Sequence, residues 1–340
     1  MGKKCYGFDC GTYTLVCAER DEKGVVDCRH EINAFLELML KGNDFVFNMM
    51  KQTGVPLILR EDSASAYALG EAAVEMAYTM PTIELKRPMK DGCVNPKEVN
   101  AFQIMKIMMH SLLEDIKEDG VLYYTIPANA INVETDADYH NKILEAIFKA
   151  YKSSTGKIVE AHPINEALAL VYAELGTKNF TGIAMSFGAG MVNVCFAMFG
   201  APVFSFAIAN SGDWIDQMAA KATNEAVAYI NKEKKTVDLM GEPKTLVDRA
   251  IQTQYRLMLE KTMVGLKKGF SDNAAKARLD TPIDIVIAGG TSMPKGFDVM
   301  FKEVLASAQL PVKVGSIIRP AEPLFSVAKG ALIAAENAKI

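Results

Sequence analysis

Apolar and polar positions divide the first half of the chain into a regular series of predicted strands and helices. Alternating apolar residues predict three strands of an antiparallel meander, at Tyr6–Asp9, Thr14–Arg20 and Val25–His30. Apolar side chains then recur at helical spacing across Pro96–Glu118, at Phe102, Met105, Met109, Leu112 and Ile116. The elements predicted after this helix are a strand at Val121–Ile126, a helix at Ala137–Lys152, a strand at Ile158–His162 and a helix at Asn165–Leu175.

The second half repeats this order of elements. The predicted series is strands at Gly182–Ser186, Met191–Phe199 and Val203–Ala209, helices at Gly212–Asn231 and Thr245–Lys268, a strand at Ile283–Ala288, a helix at Pro294–Ala308, a strand at Val312–Ile317 and a helix at Pro323–Ala338. Gly11 and Gly188, which occupy matching turns, are 177 residues apart. The repeat rests on element order, because sequence identity between the halves is low. It predicts two similar α/β domains, each a mixed sheet covered by helices, with a ligand cleft between them.

Residues 31–78 break the pattern and read as a small insertion in the first half. Short helices are predicted at Ala34–Leu40 and Asp44–Lys51, a short strand at Pro56–Arg60 and a further helix at Ala64–Met76. We therefore expect a small subdomain outside the main sheet.

Composition indicates a compact globular protein. Of the 340 residues, 50% are hydrophobic and 23% charged, and the formal net charge of −4 gives no reason to expect direct nucleic-acid binding. The six cysteines contain no C-x-x-C pair and lie mostly in strand-like runs, so we expect buried, reduced thiols. The four histidines share no ligand spacing that would indicate a zinc site. No leader or uninterrupted apolar run of about 18 residues stands out, which favours a cytoplasmic location.

Three glycine-bearing turns follow three of the predicted strands. They are Asp9–Thr14, Ser186–Gly190 and Ile287–Gly296. A glycine in such a turn lets backbone N–H groups approach a phosphate, and an acidic residue beside it can hold a divalent cation. The first turn alone could equally be an ordinary hairpin. Three such turns at matching places of a repeated architecture indicate a nucleotide site.

With these turns in place, the chain resembles the actin-like ATPases, closest to the prokaryotic actins of the MreB and MamK type. The resemblance covers nearly the whole length: the three turns look like the two phosphate loops and the adenosine motif, and Arg87–Gly92 looks like the MreB-type segment. It implies the duplicated ribonuclease H-like fold. The expected division is domain I at 1–160 with the subdomain 31–78, domain II at 161–322, and a C-terminal helix at 323–340 that packs back toward domain I.

The resemblance also implies residue roles around ATP or ADP and Mg²⁺. Asp9 would position the metal, and Glu166 would orient the attacking water, although an acid at a helix N-terminus is also favoured for its own sake. The residues that would hold the nucleotide are Gly11, Thr12, Tyr13, Thr14, Gly188, Ala189, Gly190, Gly289, Gly290, Thr291 and Ser292. Lys232 and Glu233 resemble the pair that borders the base and ribose in actin, and a solvated charge pair at a helix end is the alternative.

Two further positions bear on the chemistry. Ser186 stands where the second phosphate loop of the family carries an aspartate, and a hydroxyl cannot supply that negative charge to a hydrated cation. This departure predicts slow or altered hydrolysis with nucleotide binding retained. Asp213 lies in Asn210–Asp216, whose polar residues either cap a helix or contact the ribose or a filament neighbour.

The function that the resemblance implies is a cytoskeletal ATPase that polymerises head to tail with itself. The alternative is a non-polymerising ATP-binding regulator or scaffold on the same fold, and a small-molecule kinase is a weaker third reading. Membrane contact is not evident from the sequence, adaptor proteins are unknown, and the preference for ATP over GTP is open.

Overall fold

A computed structural model describes residues 3–39, 57–59, 65–79, 84–274 and 281–338, together with positions 48, 50 and 52. The strands are β1 (Lys4–Cys10), β2 (Thr14–Arg20), β3 (Val26–Ile32), β4 (Phe35–Met39), β5 (Leu57–Leu59), β6 (Ser65–Leu69), β7 (Met89–Lys90), β8 (Cys93–Val94), β9 (Gly120–Ile126), β10 (Val159–Asn165), β11 (Gly182–Phe187), β12 (Val192–Met198), β13 (Ala201–Ile208), β14 (Ile283–Ala288) and β15 (Val314–Ile318). The α-helices are α1 (Gly70–Thr79), α2 (Ala101–Leu113), α3 (Ala137–Lys149), α4 (Glu166–Glu174), α5 (Gly212–Thr223), α6 (Val227–Lys234), α7 (Leu246–Asp272), α8 (Phe297–Ala308) and α9 (Ser326–Asn337).

Two five-stranded mixed sheets of the same connectivity form the two lobes. The first has the order β3-β2-β1-β9-β10 and the second the order β13-β12-β11-β14-β15. In each sheet three strands form an antiparallel meander, and the remaining two run parallel to its first strand. The predicted duplicated α/β fold is therefore confirmed.

The insertion in the first lobe is a small sheet rather than a group of helices. Strand β6 pairs with both β4 and β5, and helix α1 follows β6. The predicted helix Ala34–Leu40 is wrong, because a short apolar run fits a paired strand as well as a helix turn. The predicted helix Ala64–Met76 begins only at Gly70, which has a φ of +64° at the end of β6. The predicted strand Pro56–Arg60 corresponds to β5, and the predicted helix Asp44–Lys51 falls almost entirely outside the described residues.

The predicted helix Gly212–Asn231 is two helices, α5 and α6. Asn224 ends α5 in the left-handed conformation, with a φ of 57°. Asparagine tolerates this conformation better than most residues, so it can end a helix where apolar spacing alone suggests continuation. The next helix, α7, begins with a capping box in which the side chains of Thr245 and Asp248 each accept from the other residue's backbone N–H.

Helices α4 and α9 lie between the two lobes and pack directly on each other. A Cβ added at Gly330 would lie 1.7 Å from the Ala169 carbonyl oxygen, and one added at Gly7 would lie 2.1 Å from the Ala328 carbonyl oxygen. Only glycine permits these close contacts of α9 with α4 and with β1. Strand β10 of the first sheet runs to Asn165, and the division into 1–160, 161–322 and 323–340 stays a prediction.

None of the helices in the described ranges combines the length and apolar character that a membrane crossing requires.

Candidate active site

A cavity of about 400 Å³ lies between the two lobes, where the strand ends converge. All three glycine turns line it. The lining residues that the sequence singled out are Asp9, Gly11, Thr12, Tyr13, Thr14, Glu166, Ser186, Gly188, Ala189, Gly190, Asp213, Gly289, Gly290 and Thr291. The structure thus brings together residues that are up to 282 positions apart in the chain.

The buried residue Asn33 makes hydrogen bonds to the backbone of the first turn, which lies between β1 and β2. The Asn33 side chain donates to the Gly11 carbonyl at 3.1 Å, and the Asn33 backbone N–H donates to the Tyr13 carbonyl at 2.8 Å. A Cβ at Gly11 would lie 2.3 Å from the Thr14 carbonyl oxygen, so this tight turn requires glycine. Because its carbonyls are engaged by Asn33, the turn has a fixed shape before any ligand binds.

The second and third turns are tied to each other. The Gly188 carbonyl accepts from the Thr291 hydroxyl at 2.7 Å and from the Ser211 hydroxyl at 2.5 Å. Gly289 has a φ of +91°, and a Cβ there would lie 2.4 Å from the Phe187 carbonyl oxygen. Ser292 does not line the cavity; its buried hydroxyl donates to the Gly289 carbonyl at 2.7 Å and so supports the third turn.

Two contacts cross the mouth of the cleft. A Cβ at Gly190 of the second lobe would lie 2.4 Å from both the Gly92 nitrogen and the Thr12 hydroxyl oxygen of the first. Arg87 of the first lobe donates to both carboxylate oxygens of Asp213 at 2.9 Å. We name this ion pair the cleft clasp. It is partly buried, since the side chains of Arg87 and Asp213 are 28% and 13% exposed.

The Tyr13 ring lies beside the cleft clasp and lines the cavity. The Arg87 guanidinium and the Lys235 ammonium lie 5.7 and 5.8 Å from its centroid, both within cation–π range. Lys235 also lines the cavity, so a cation is present at this edge of the site.

Asp9, at the end of β1, faces the cavity from the first lobe. The Thr125 hydroxyl donates to Asp9 Oδ1 at 2.9 Å and accepts from the Cys10 backbone N–H at 3.0 Å. Burial raises the pKa of Asp9 to about 6, and the hydrogen bond from Thr125 partly offsets this. A cation beside Asp9 would favour its charged form.

Glu166 is the first residue of α4, after the N-cap Asn165, whose side chain accepts from the Leu168 backbone N–H. Glu166 Oε2 accepts a hydrogen bond from the Asn193 side chain at 2.8 Å. Burial, followed by the nearby Asp9 carboxylate, raises the pKa of Glu166 to about 8, and the Ser186 hydroxyl acts in the opposite direction. When no cation lies between them, two carboxyl groups that face the same cavity do not readily both ionise, because the two negative charges repel each other.

Lys232 and Glu233 do not line the cavity; Asn231, Lys234 and Lys235 do. The Lys234 ammonium is buried and donates to the Gly212 carbonyl and to Asp216, both at 2.8 Å. In α6, Lys234 thus projects inward, whereas Lys232 is exposed. Contact of Lys232 and Glu233 with the base and ribose of a nucleotide stays a prediction.

Sequence reasoning singled out no role for Asn33, Thr125 or Asn193. Each is a buried polar residue in or beside a strand, which is the signal that could have identified them. Their partners lie 22 to 116 residues away in sequence, so no local motif marks the pairs.

Comparison of the chain with models of known protein families identifies its family. The Volactin family model matches residues 5–335. The chain belongs to the Volactin family. A search of curated proteins gave no match. Similar solved structures show that this Volactin-family chain has the actin-like ATPase fold.

Three such structures cover nearly the whole chain. A MamK double helical filament matches at 15% identity with a TM-score of 0.70 and covers 98% of each chain. MreB 5 of Spiroplasma citri bound to AMPPNP matches at 14% identity with a TM-score of 0.68, over 99% of this chain and 97% of that one. The ethanolamine utilization protein EutJ from Carboxydothermus hydrogenoformans matches at 17% identity with a TM-score of 0.54, over 98% and 90%. At these identities the likeness concerns the fold.

The donor set fits Mg²⁺ only in company with a ligand. Among the described residues, no group of three or more His, Cys, Asp or Glu side chains could hold a metal ion. Mg²⁺ is commonly bound through one or two carboxylates together with substrate phosphates and water. Asp9, which lies beside the first glycine turn and lines the cavity, could supply such a carboxylate.

Proposed function

We propose that this chain is a slow, Mg²⁺-dependent ATP phosphohydrolase of the actin type that assembles into cytoskeletal filaments. The observation that carries the nucleotide site is the convergence of three glycine turns and two half-buried carboxylates on one interlobe cavity of about 400 Å³. That volume lies within the range of small-molecule and cofactor sites. The glycines allow close backbone approach to the phosphates from both lobes.

Each lobe contributes a distinct part of the proposed reaction. The first turn, at Gly11–Thr14, and the second turn, at Gly188–Gly190, bind the phosphates from opposite sides, and the turn at Gly289–Thr291 lies against the adenosine. Asp9 holds the hydrated cation, which when bound neutralises phosphate charge. Glu166 orients the attacking water and accepts its proton. Phosphoryl transfer depends mainly on such positioning and charge neutralisation.

The slow rate follows from the second phosphate loop. Ser186 supplies a hydroxyl where the family resemblance leads one to expect a carboxylate, and it lines the cavity together with Glu166. Asp9 is then left with most of the task of holding the cation. Nucleotide binding should be retained, because the turns themselves are complete.

Filament assembly is the proposed use of the nucleotide cycle. Nucleotide bridges the two lobes, and hydrolysis removes part of that bridge, which biases the lobes apart. A head-to-tail contact that does not close into a ring gives a polymer. Residues 31–78 and 232–250 are the proposed contact regions, the proposed location is the cytoplasm, and the alternative function is a non-polymerising ATP-binding regulator or scaffold.

Phosphate release and sedimentation together test this proposal. Purified chain is incubated with Mg²⁺ and ATP, ADP, GTP or no nucleotide, and both released phosphate and pelleted protein are measured. We expect slow phosphate release with ATP and a pellet that depends on ATP. Glu166→Gln should pellet with ATP and release no phosphate. ATP binding without any pellet would favour the regulator or scaffold, and absence of both binding and phosphate release would overturn the proposal.

A further inference from the structure

Asn193 and Ser186 face each other across two strands of the second lobe. They are direct partners in the antiparallel pairing of β11 with β12. Both are almost completely buried, with 1% and 2% of their surface exposed. Neighbours on one face of an antiparallel pair have Cβ atoms about 5 Å apart, so both side chains can reach a single group. That group is the Glu166 carboxyl, which accepts a hydrogen bond from Asn193 and, like Ser186, lines the cavity.

The Asn193 amide is fixed at both of its ends. Its Oδ1 accepts from the Ala128 backbone N–H at 3.0 Å, and its Nδ2 donates to Glu166 Oε2 at 2.8 Å. A flipped amide would place an NH₂ group against the Ala128 N–H and an oxygen against the carboxylate, so the network permits one orientation. Asn193 therefore acts toward Glu166 only as a donor.

This bridge joins three parts of the molecule. Ala128 follows β9 of the first lobe, Asn193 lies on β12 of the second lobe, and Glu166 begins the helix that lies between them. The position of Glu166 thus depends on both lobes at once. A rotation of one lobe relative to the other would break either the bond to Ala128 or the bond to Glu166.

We propose that Asn193, assisted by Ser186, is the positioning residue for Glu166 in ATP hydrolysis. The inference rests on the proposed function. Asn193 engages Oε2 and leaves Oε1 to accept the proton of the attacking water. Because the bridge needs both lobes in place, Glu166 is correctly oriented only when the cleft is closed. The serine at position 186 then has a positive role, since it presents a neutral hydroxyl to the cavity that Glu166 lines, where an aspartate would place another carboxylate.

Asn193→Asp is the sharpest single test, because it keeps the shape and the acceptor but removes the donor. A displacement of a reacting group by about 1 Å can cost on the order of 100-fold in rate. We expect kcat for phosphate release to fall about 10- to 100-fold, with the dissociation constant for ATP changed less than about threefold. Ser186→Ala should lower kcat less. Thr262→Val, which removes a fully buried hydroxyl that lies in α7 and does not line the cavity, is the control and should leave kcat unchanged.

A donor–acceptor exchange gives a readout that does not depend on activity. In the double variant Asn193→Asp/Glu166→Gln, the glutamine can donate to the new aspartate, which restores the hydrogen bond in reverse. Asn193→Asp should lower the melting temperature much less in the Glu166→Gln background than in the wild-type background, while kcat stays abolished. A change in melting temperature of the double variant equal to the sum of the two single-variant changes would overturn the bridge.

The kinetic outcomes separate this inference from the proposed function. Wild-type turnover that Asn193→Asp leaves intact would overturn the positioning role alone. A weaker ATP affinity with kcat unchanged would do the same, because it indicates that Asn193 contributes equally to ground-state and transition-state binding. A wild-type chain that binds no ATP and releases no phosphate would overturn both.

Discussion

Replacing Glu166 with glutamine tests the electrostatics of the cleft directly. Glutamine keeps the size of the side chain and resembles the protonated acid, so it cannot acquire a charge as the pH rises. Burial and the neighbouring Asp9 raise the pKa of Glu166 from 4.5 to about 8. A carboxyl whose pKa is higher in the folded than in the unfolded protein binds a proton more tightly when folded. Its contribution to stability is therefore present below pH 4.5 and is lost as the pH rises toward 8.

The magnitude of this effect follows from the shift in the pKa of Glu166. At about 1.4 kcal/mol per pKa unit, that shift sets an upper limit of about 5 kcal/mol on how much ionised Glu166 destabilises the folded chain above pH 8. Nucleotide-free Glu166→Gln should match the wild type near pH 5 and exceed it by roughly 2 to 5 kcal/mol at pH 8.5. For a chain of 340 residues, that should raise the melting temperature by roughly 3 to 7 °C.

Chemical and thermal unfolding at pH 5, 7 and 8.5 measure the difference between the two proteins. Taking the difference cancels the titrating groups that do not interact with Glu166, whereas Asp9, which does interact with it, contributes to the measured difference. Glu118→Gln, at an exposed position, is the control and should follow the wild type at every pH. Parallel stability curves for wild type and Glu166→Gln would refute the argument, because they would show that Glu166 ionises as easily in the folded chain as in the unfolded one.

Three further changes test other parts of the account. Arg87→Ala should break the cleft clasp with Asp213 and speed release of a fluorescent ATP analogue about fivefold, as measured by stopped flow. The charge-exchanged double variant Arg87→Asp/Asp213→Arg should recover the slow release, and an unchanged rate in Arg87→Ala would contradict a clasp. Gly330→Val should lower stability by about 3 kcal/mol, because the new side chain would collide with Ala169, and an unchanged melting temperature would argue against that helix contact. Asp9→Asn should weaken ATP binding about tenfold with Mg²⁺ but little in EDTA, and equal losses in both conditions would exclude a metal role.

The sequence predicted the parts of the fold that local patterns determine. Strands such as β1 and β11 are apolar runs ended by glycine turns, so both their position and their repeat could be recognised. The insertion was harder, because the five residues of β4 carry too little periodicity to separate strand from helix. Likewise, the break between α5 and α6 depends on the conformation of Asn224 alone.

The contacts within the site were less predictable than the residues that line it. Glycine turns indicate a phosphate site by composition, but Asn193 meets Glu166 only because two strands and a helix start converge. The partners of the cleft clasp, Arg87 and Asp213, are 126 residues apart and belong to different lobes. Such pairs depend on how the lobes are arranged, which one sequence read locally does not encode.

The most direct test of the central claim is a calorimetric titration of the purified full chain with Mg²⁺ and ATP. We predict saturable binding of one nucleotide per chain, with much weaker binding by Gly11→Val, whose side chain would displace the first turn. Absence of any heat of binding with ATP, ADP or GTP at millimolar concentration, or wild-type affinity in Gly11→Val, would contradict a nucleotide clasped between the two lobes.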